Sequence, residues 1–304
     1  MSFLSLRNRC DAAEAAGRGA VRSPLLASDL TAELCAGLGA PAPDAHTALV
    51  WGALTTGDPA DAGVEASATG RTWNLSGRAL VAQPTAELRS LLVVARSRPI
   101  GGRDRGIRVH RVASEARGVA LSAATLVDGS SMYATRLDGV EAHDTDAVGP
   151  PRDATPALRA VLDTARLLAT AEMLGAASAA QDEAVRWVST REQFGAPLAA
   201  RQVVQHRVAD MAVTCTVVRA LIDDAIARAE VGEPFTAEAT VAKLVASRRL
   251  PDVTAAAHQL HGGEGYYADR PLHRWHKRVL VLASLLGGPV AQRRNLAALL
   301  APPA

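Results

Sequence analysis

Between Leu198 and Glu230, the side chains of Val204, Val208, Met211, Cys215, Val218 and Ile222 recur every third or fourth residue. Sustained over that length, the spacing puts all six on one stripe of an α-helix, and such a stripe needs an apolar partner to cover it. The neighbouring sequence offers several. Thr155-Pro156 supplies a capping hydroxyl with proline at the first helical position, which predicts a helix from Pro156 to about Thr190. A third helix is predicted after Thr236, with Pro251 as a kink or break, reaching His261. A fourth covers Leu272 to Leu286, where Gly287-Gly288-Pro289 interrupts it. Four helices of this length imply an antiparallel four-helix bundle over residues 151–304.

The chain ahead of the bundle has another texture. Thr72-Trp-Asn-Leu75, Ala79-Leu-Val-Ala82, Leu91-Leu-Val-Val-Ala95 and Ile107-Arg-Val-His-Arg-Val112 are short β-favouring runs separated by glycine or charged turns. They predict a small, β-barrel-like middle domain over residues 48–150. The linker Val148-Gly-Pro-Pro-Arg-Asp153 ends the strand character. Residues 1–47 read as a short N-terminal helical region, with Asp11 to Ala16 rich in alanine and acid, closed by the break Gly39-Ala-Pro41-Ala-Pro43. The expected fold is α+β and multidomain: short N-terminal helices, a small β domain and a C-terminal bundle.

Composition excludes several function classes. With 304 residues and 48% hydrophobic side chains, the chain can bury a large core. The net charge is +2, and the arginines are interleaved with acids, so there is no electrostatic footprint for nucleic acid. Cys10, Cys35 and Cys215 are odd in number and widely spaced, which points to reduced thiols in the cytoplasm. No segment approaches the roughly 20 apolar residues of a membrane span, and Met1 to Arg9 lacks the apolar run of a signal peptide.

Two short segments carry the chemistry: Arg191-Glu-Gln-Phe194-Gly195 after the first long helix, and Gln259-Leu-His-Gly262-Gly263-Glu-Gly265-Tyr266 after the third. Taken singly, each has a plain reading as a helix-ending arginine, a core phenylalanine or a glycine cluster at a helix end. Taken together, with Thr164-Ala-Arg166 leading to Gly175 upstream and Gln202 downstream, they resemble the acyl-CoA dehydrogenase family. The likeness is strongest from about Asp163 to Arg278. It implies that Arg191 meets pyrophosphate or ribose oxygens of FAD, where a planar fork of donors suits an anion. By the same resemblance Phe194, Gln202, Gln259, Gly262 and Gly263 complete the FAD contacts, and Arg166 lies near the acyl thioester of an acyl-CoA substrate.

The family's reaction needs a carboxylate to remove the α-proton, and geometry outranks mere presence. Counting from Gln259 puts the usual glutamate at Leu286, followed by the matching Gly287, and the alternative family position is Ala165. Neither residue takes a proton. Asp163 lies two residues from Ala165, turned by roughly 200 degrees on a helix, and reads as a solvated capping acid. In the β domain, Leu54-Thr-Thr-Gly-Asp58 stands where the family has Leu-Thr-Glu-Pro, and Leu80-Val-Ala-Gln83 replaces Trp-Ile-Ser/Thr-Asn.

Family enzymes share each FAD across a subunit interface, and this chain keeps the half that a neighbour contributes. It resembles the shortened subunits of heterotetrameric α2β2 acyl-CoA dehydrogenases of steroid degradation, where a Leu-His and a basic pair follow the glycines, here Leu272-His273 and Lys277-Arg278. The implied partner is a longer, base-bearing homologue, and the implied reaction is α,β-dehydrogenation of a bulky acyl-CoA. A flavin-free structural or regulatory paralogue and a homomeric flavoenzyme of altered chemistry are the alternatives. His258, His261, His273 and His276 share helix faces at i, i+3, but no flanking ligand completes a metal sphere, so they read as surface or interface hydrogen-bonders. Glu264 reads as a solvent-facing turn acid and Trp275 as an interface or core aromatic.

Overall fold

The computed structural model describes residues 5–21, 28–82, 87–97, 106–150 and 153–301; Gln83 and the Pro151-Arg152 step of the linker lie outside them. In chain order the elements are α1 (Leu6–Arg18), α2 (Ser28–Gly37), β1 (Thr47–Trp51), the single turn α3 (Ala53–Thr56), β2 (Val64–Thr69), β3 (Thr72–Ala82), β4 (Ser90–Ser97), β5 (Ile107–Ala113), β6 (Val119–Thr125) and β7 (Ser131–His143). There follow α4 (Thr155–Thr190), the two-residue strands β8 (Glu192–Gln193) and β9 (Ala196–Pro197), α5 (Gln202–Glu230), α6 (Thr236–His261), α7 (Leu272–Ser284) and α8 (Pro289–Leu300). The chain divides into two compact units, residues 24–165 with 285–287, and residues 1–23 with 166–284 and 288–304. The division falls inside α4.

In the first unit the strands form a mixed sheet that closes on itself. β1 and β2 each pair with both β4 and β3, parallel to β4 and antiparallel to β3, so these four strands make a ring. β5 extends from β4, and β7 then β6 extend from β3, all antiparallel. The two runs read as separate, Thr72–Leu75 and Ala79–Ala82, are one strand. Val50, Val64, Trp73, Leu75, Leu91 and Val93 fill the ring, and the Trp73 indole donates to Asp144 Oδ1 at 2.8 Å, so its polar edge is satisfied at the rim. Leu137 and Val140 on β7, three residues apart, both face this core. The extra residue is absorbed where the register shifts, with Gly139 in left-handed backbone at φ 64.

In the second unit α6 packs on α5, α7 and α8, and α1 packs on α5 and α7. From Arg166 to Gly175 every residue of α4 is buried, as expected of a helix covered on all sides. Two features set its neighbours. A Cβ on Gly17 of α1 would overlap the Glu172 carbonyl oxygen, and one on Gly175 of α4 would overlap that of Glu14, so these helices meet backbone to backbone. Buried Glu172 accepts from Arg278 Nε of α7 at 2.6 Å.

Several expectations need correction. α7 ends at Ser284, because Leu286 takes left-handed backbone at φ 59. Of the kink or break expected at Pro251, the break is absent: α6 continues through that residue. α5 begins at Gln202, since Arg201 is extended at ψ 127. Gly287-Gly288-Pro289 ends one helix and starts another, α8, with proline in its first turn. In the α5 stripe Met211, Val218 and Ile222 are buried, whereas Val204, Val208 and Cys215 are half-buried.

Candidate functional site

The segment after α4 is a minimal hairpin. Glu192 pairs with Pro197 and Gln193 with Ala196, leaving Phe194-Gly195 as a two-residue turn with both φ values positive, 57 and 79. That is the sign pattern of a turn whose twist matches the strands. Glycine adopts it freely; phenylalanine pays in strain, of a kind that persists mainly at functional positions. Phe194 is 90% exposed. Its reading as a core side chain is therefore overturned. Arg201 stacks over the Phe194 ring at 5.5 Å and donates to the Gln193 carbonyl at 3.4 Å, which ties the turn to exposed Gln202 at the start of α5.

The second segment ends α6. Gly262 has φ 60 and ψ −138, a conformation open only to glycine. Among the described residues, nothing lies within 4 Å of where a Cβ on Gly262 or Gly263 would sit. With exposed Gln259 one turn earlier, this is an open backbone cradle of the kind that admits an anion or a flat ring. Gly265 is the crowded glycine, its Cβ position 3.0 Å from the His258 carbonyl oxygen. Glu264 keeps 40% of its side chain exposed in the turn and pairs there with Arg270 at 3.3 Å.

Trp187, three residues before the end of α4, joins the two segments, and the motifs gave no hint of it. Arg191 lies 5.6 Å over its ring, Arg270 lies 5.1 Å over it, and His261 stacks on it at 5.2 Å with planes 14° apart. A cation over an indole is held by the ring quadrupole. Trp187 also accepts the Arg191 N–H at its carbonyl, 2.8 Å away. An aromatic four residues before Arg191 was the available signal.

The histidines are more internal than expected. His258 and His261 are buried, bonded to the carbonyls of Gly265 at 3.0 Å and Ala257 at 2.8 Å. His276 meets Thr254 Oγ1 at 2.8 Å and lies edge-on to His258. Burial lowers the pKa of both His258 and His276. Trp275 is a structural aromatic: it is buried and donates to the Arg18 carbonyl at 3.1 Å.

Arg166 is 2% exposed. On α6, Lys243 is fully buried and donates to Ser247 Oγ at 2.8 Å and the Ala283 carbonyl at 3.4 Å, near the end of α7. Burial, then the Arg166 charge, hold its pKa down to about 7. Ala165 and Leu286 are both buried and belong to the sheet-containing unit. Asp163, read as solvated, is buried as well.

Residues 155–300 match the family model described as "Acyl-CoA dehydrogenase, C-terminal domain". The chain is 42% identical over 116 residues to acryloyl-CoA reductase (NADH) of Anaerotignum propionicum, covering 38% of this chain and 29% of that one. It is 39% identical over 136 residues to acyl-CoA dehydrogenase IpdE2 of Mycolicibacterium smegmatis, covering 45% and 42%. These matches span less than half the length of either curated relative. A solved structure of a Tcur3481-Tcur3483 steroid ACAD variant superposes with a TM-score of 0.82 at 30% identity, over 97% of this chain and 80% of that one. Helices, closed sheet and helical region thus recur in one solved relative over nearly the whole chain, and this protein belongs to the acyl-CoA dehydrogenase family.

Proposed function

We propose that the chain is a subunit of a hetero-oligomeric, FAD-dependent acyl-CoA dehydrogenase, in which it completes an FAD site with a longer, base-bearing homologue. Arg191, Phe194, Gln202, Gln259, Gly262 and Gly263 are its contribution across the subunit interface. Phe194 carries the reading. A large apolar ring held 90% exposed on a strained turn is unexplained within the chain and fits a surface completed by something else. The donor set suits FAD: an exposed guanidinium for phosphate oxygens, an open glycine cradle and an exposed amide at Gln259. When bound, FAD supplies the acceptor for the hydride leaving the substrate β-carbon.

This chain's residues orient the cofactor, and Arg166 is assigned to the thioester end of the acyl-CoA. The α-proton passes to a carboxylate of the partner, because Leu286 and Ala165 have no acid to offer. The steroid ACAD relative at 30% identity supports a bulky, steroid-derived acyl group. The free thiols Cys10, Cys35 and Cys215 support a cytoplasmic setting, and among the described residues no helix is long and apolar enough to cross a membrane.

Co-expression with a longer, base-bearing family member tests the proposal. The expected product is a yellow complex that acyl-CoA bleaches, with a colourless product when this chain is made alone. A stable complex without flavin would reject the shared site and favour the structural or regulatory paralogue. A yellow, active homo-oligomer would favour the homomeric enzyme.

A further inference from the structure

We propose that Trp187 is a positioning residue, whose indole holds the Arg191 guanidinium ready for a ligand and ties it to the Gly262-Gly263 cradle, a role that rests on the assignment of Arg191 to FAD. Arg191 is exposed, and among the described residues its side chain makes no ion pair. An arginine left like that samples many rotamers, and binding must freeze them. Its backbone, in contrast, is fixed on both sides. The Arg191 N–H donates to the Trp187 carbonyl at 2.8 Å, and the Arg191 carbonyl accepts from the Leu198 N–H at 2.9 Å. Only the side chain remains to be set, and the indole 5.6 Å from the guanidinium carbon is the group that sets it.

The indole is itself held. Trp187 lies in the last turn of α4, four residues before Arg191, the spacing that brings two side chains onto one helix face. His261 stacks on it at 5.2 Å, and His261 is buried and bonded through Nδ1 to the Ala257 carbonyl at 2.8 Å. Gly262 follows His261 directly, so the ring that carries Arg191 also abuts the start of the cradle.

Arg270, 5.1 Å from the same ring, has other commitments: it pairs with Glu264 at 3.3 Å and with Glu183 at 3.9 Å. Two cations on one indole repel each other, and these carboxylates offset the repulsion by neutralising Arg270. Arg191 is the cation left for a ligand. A guanidinium already held in place gives up less freedom on binding, so the effect of Trp187 on FAD passes through Arg191.

Two measurements test this. In the full chain alone, the indole ring current should displace the Arg191 Nε–H proton resonance, identified by its loss in Arg191→Lys. Trp187→Leu should abolish the displacement, and Trp187→Phe should keep part of it. In the FAD-loaded complex with a base-bearing family member, Trp187→Leu should speed flavin release about two- to fivefold, the size of an exposed cation–π contact. Trp187→Phe should restore most of the parent rate. In an Arg191→Ala background, Trp187→Leu should add nothing. Trp187→Gln repeats the cycle if the leucine variant does not fold. An undisplaced Arg191 resonance in the parent chain, or unchanged flavin release from Trp187→Leu where Arg191→Ala speeds it, would overturn the positioning role and leave Arg191 in the site. Equal losses from Trp187→Leu with and without Arg191 would overturn it in favour of a purely structural tryptophan. Unchanged release from Arg191→Ala would remove Arg191 from the cofactor site, and this role with it.

Discussion

The backbone N–H of Leu286 donates a 2.8 Å hydrogen bond to the carbonyl of Leu54, and Leu286 holds left-handed backbone with its side chain 3% exposed. Left-handed backbone costs an L residue roughly 1–2 kcal/mol, so burial and this bond must offset it. Leu286→Ala is expected to lose about 2–5 kcal/mol of stability, read from the urea midpoint. Leu286→Glu restores the family's acid but buries a carboxylate. Its penalty should grow as pH rises above about 4.3, where unfolded glutamate ionises. It should not make the chain alone active, and rapid anaerobic flavin reduction by that single-chain variant would falsify the shared-site model.

In the complex, Arg191→Ala and Gln259→Ala should each weaken FAD retention without unfolding the chain, since both side chains are exposed. For Arg191 the loss should be about 1.5–3 kcal/mol, the worth of a charge-assisted hydrogen bond. Flavin release on dilution measures it. Identical release from parent and both variants would remove these residues from the cofactor site.

Glu172 and Arg278 form an ion pair with side chains 0% and 7% exposed. Removing one member leaves a buried charge, so Arg278→Met should destabilise by about 3–5 kcal/mol. The Glu172→Leu/Arg278→Met double variant should recover much of that. A double variant as unstable as the sum of the singles would show that the charges act separately.

His110 gives the β domain a pH dependence. Its ring is fully buried against Trp73, neither nitrogen has a hydrogen-bond partner among the described residues, and burial, then the Arg108 charge, lower its pKa from 6.5 to about 4, opposed by Asp146 and Asp144. The unfolded chain therefore binds more protons between pH 6.5 and 4. Stability is unaffected by this group above pH 6.5 and falls as the pH drops to 4, by on the order of 3 kcal/mol. His110→Leu should flatten that part of the stability profile, and an unchanged slope would exclude His110 as its source.

The long helices were legible because spacing and end signals agree over many residues, as they do from Thr155 to Thr190. The strands were legible as runs and as a barrel-like domain, but not the pairing that closes it, in which β1 and β2 each meet both β3 and β4. Leu286 was misread because helical periodicity continues through Leu285 and Leu286, and nothing in a leucine announces left-handed backbone. The start of α8 is hidden in Gly-Gly-Pro because that run signals a helix end as readily as a start, proline being equally at home in a first turn. At the candidate site, the motif fixed which residues to look at, yet the exposure of Phe194 and the platform at Trp187 come from three-dimensional placement. Asp163 and His261 show the converse: polar residues taken for surface groups are buried.

The backbone crossing at Gly17 and Gly175 sets how α1 can move. With no side chain at either contact point to act as a spacer or bearing, α1 cannot roll or slide on α4 without driving its own carbonyls into the other helix. Its amide protons should therefore exchange with deuterium through the cooperative opening that exposes α4, and not through fraying from the nearby terminus. Kinetically, the first helix of the chain behaves as part of its centre.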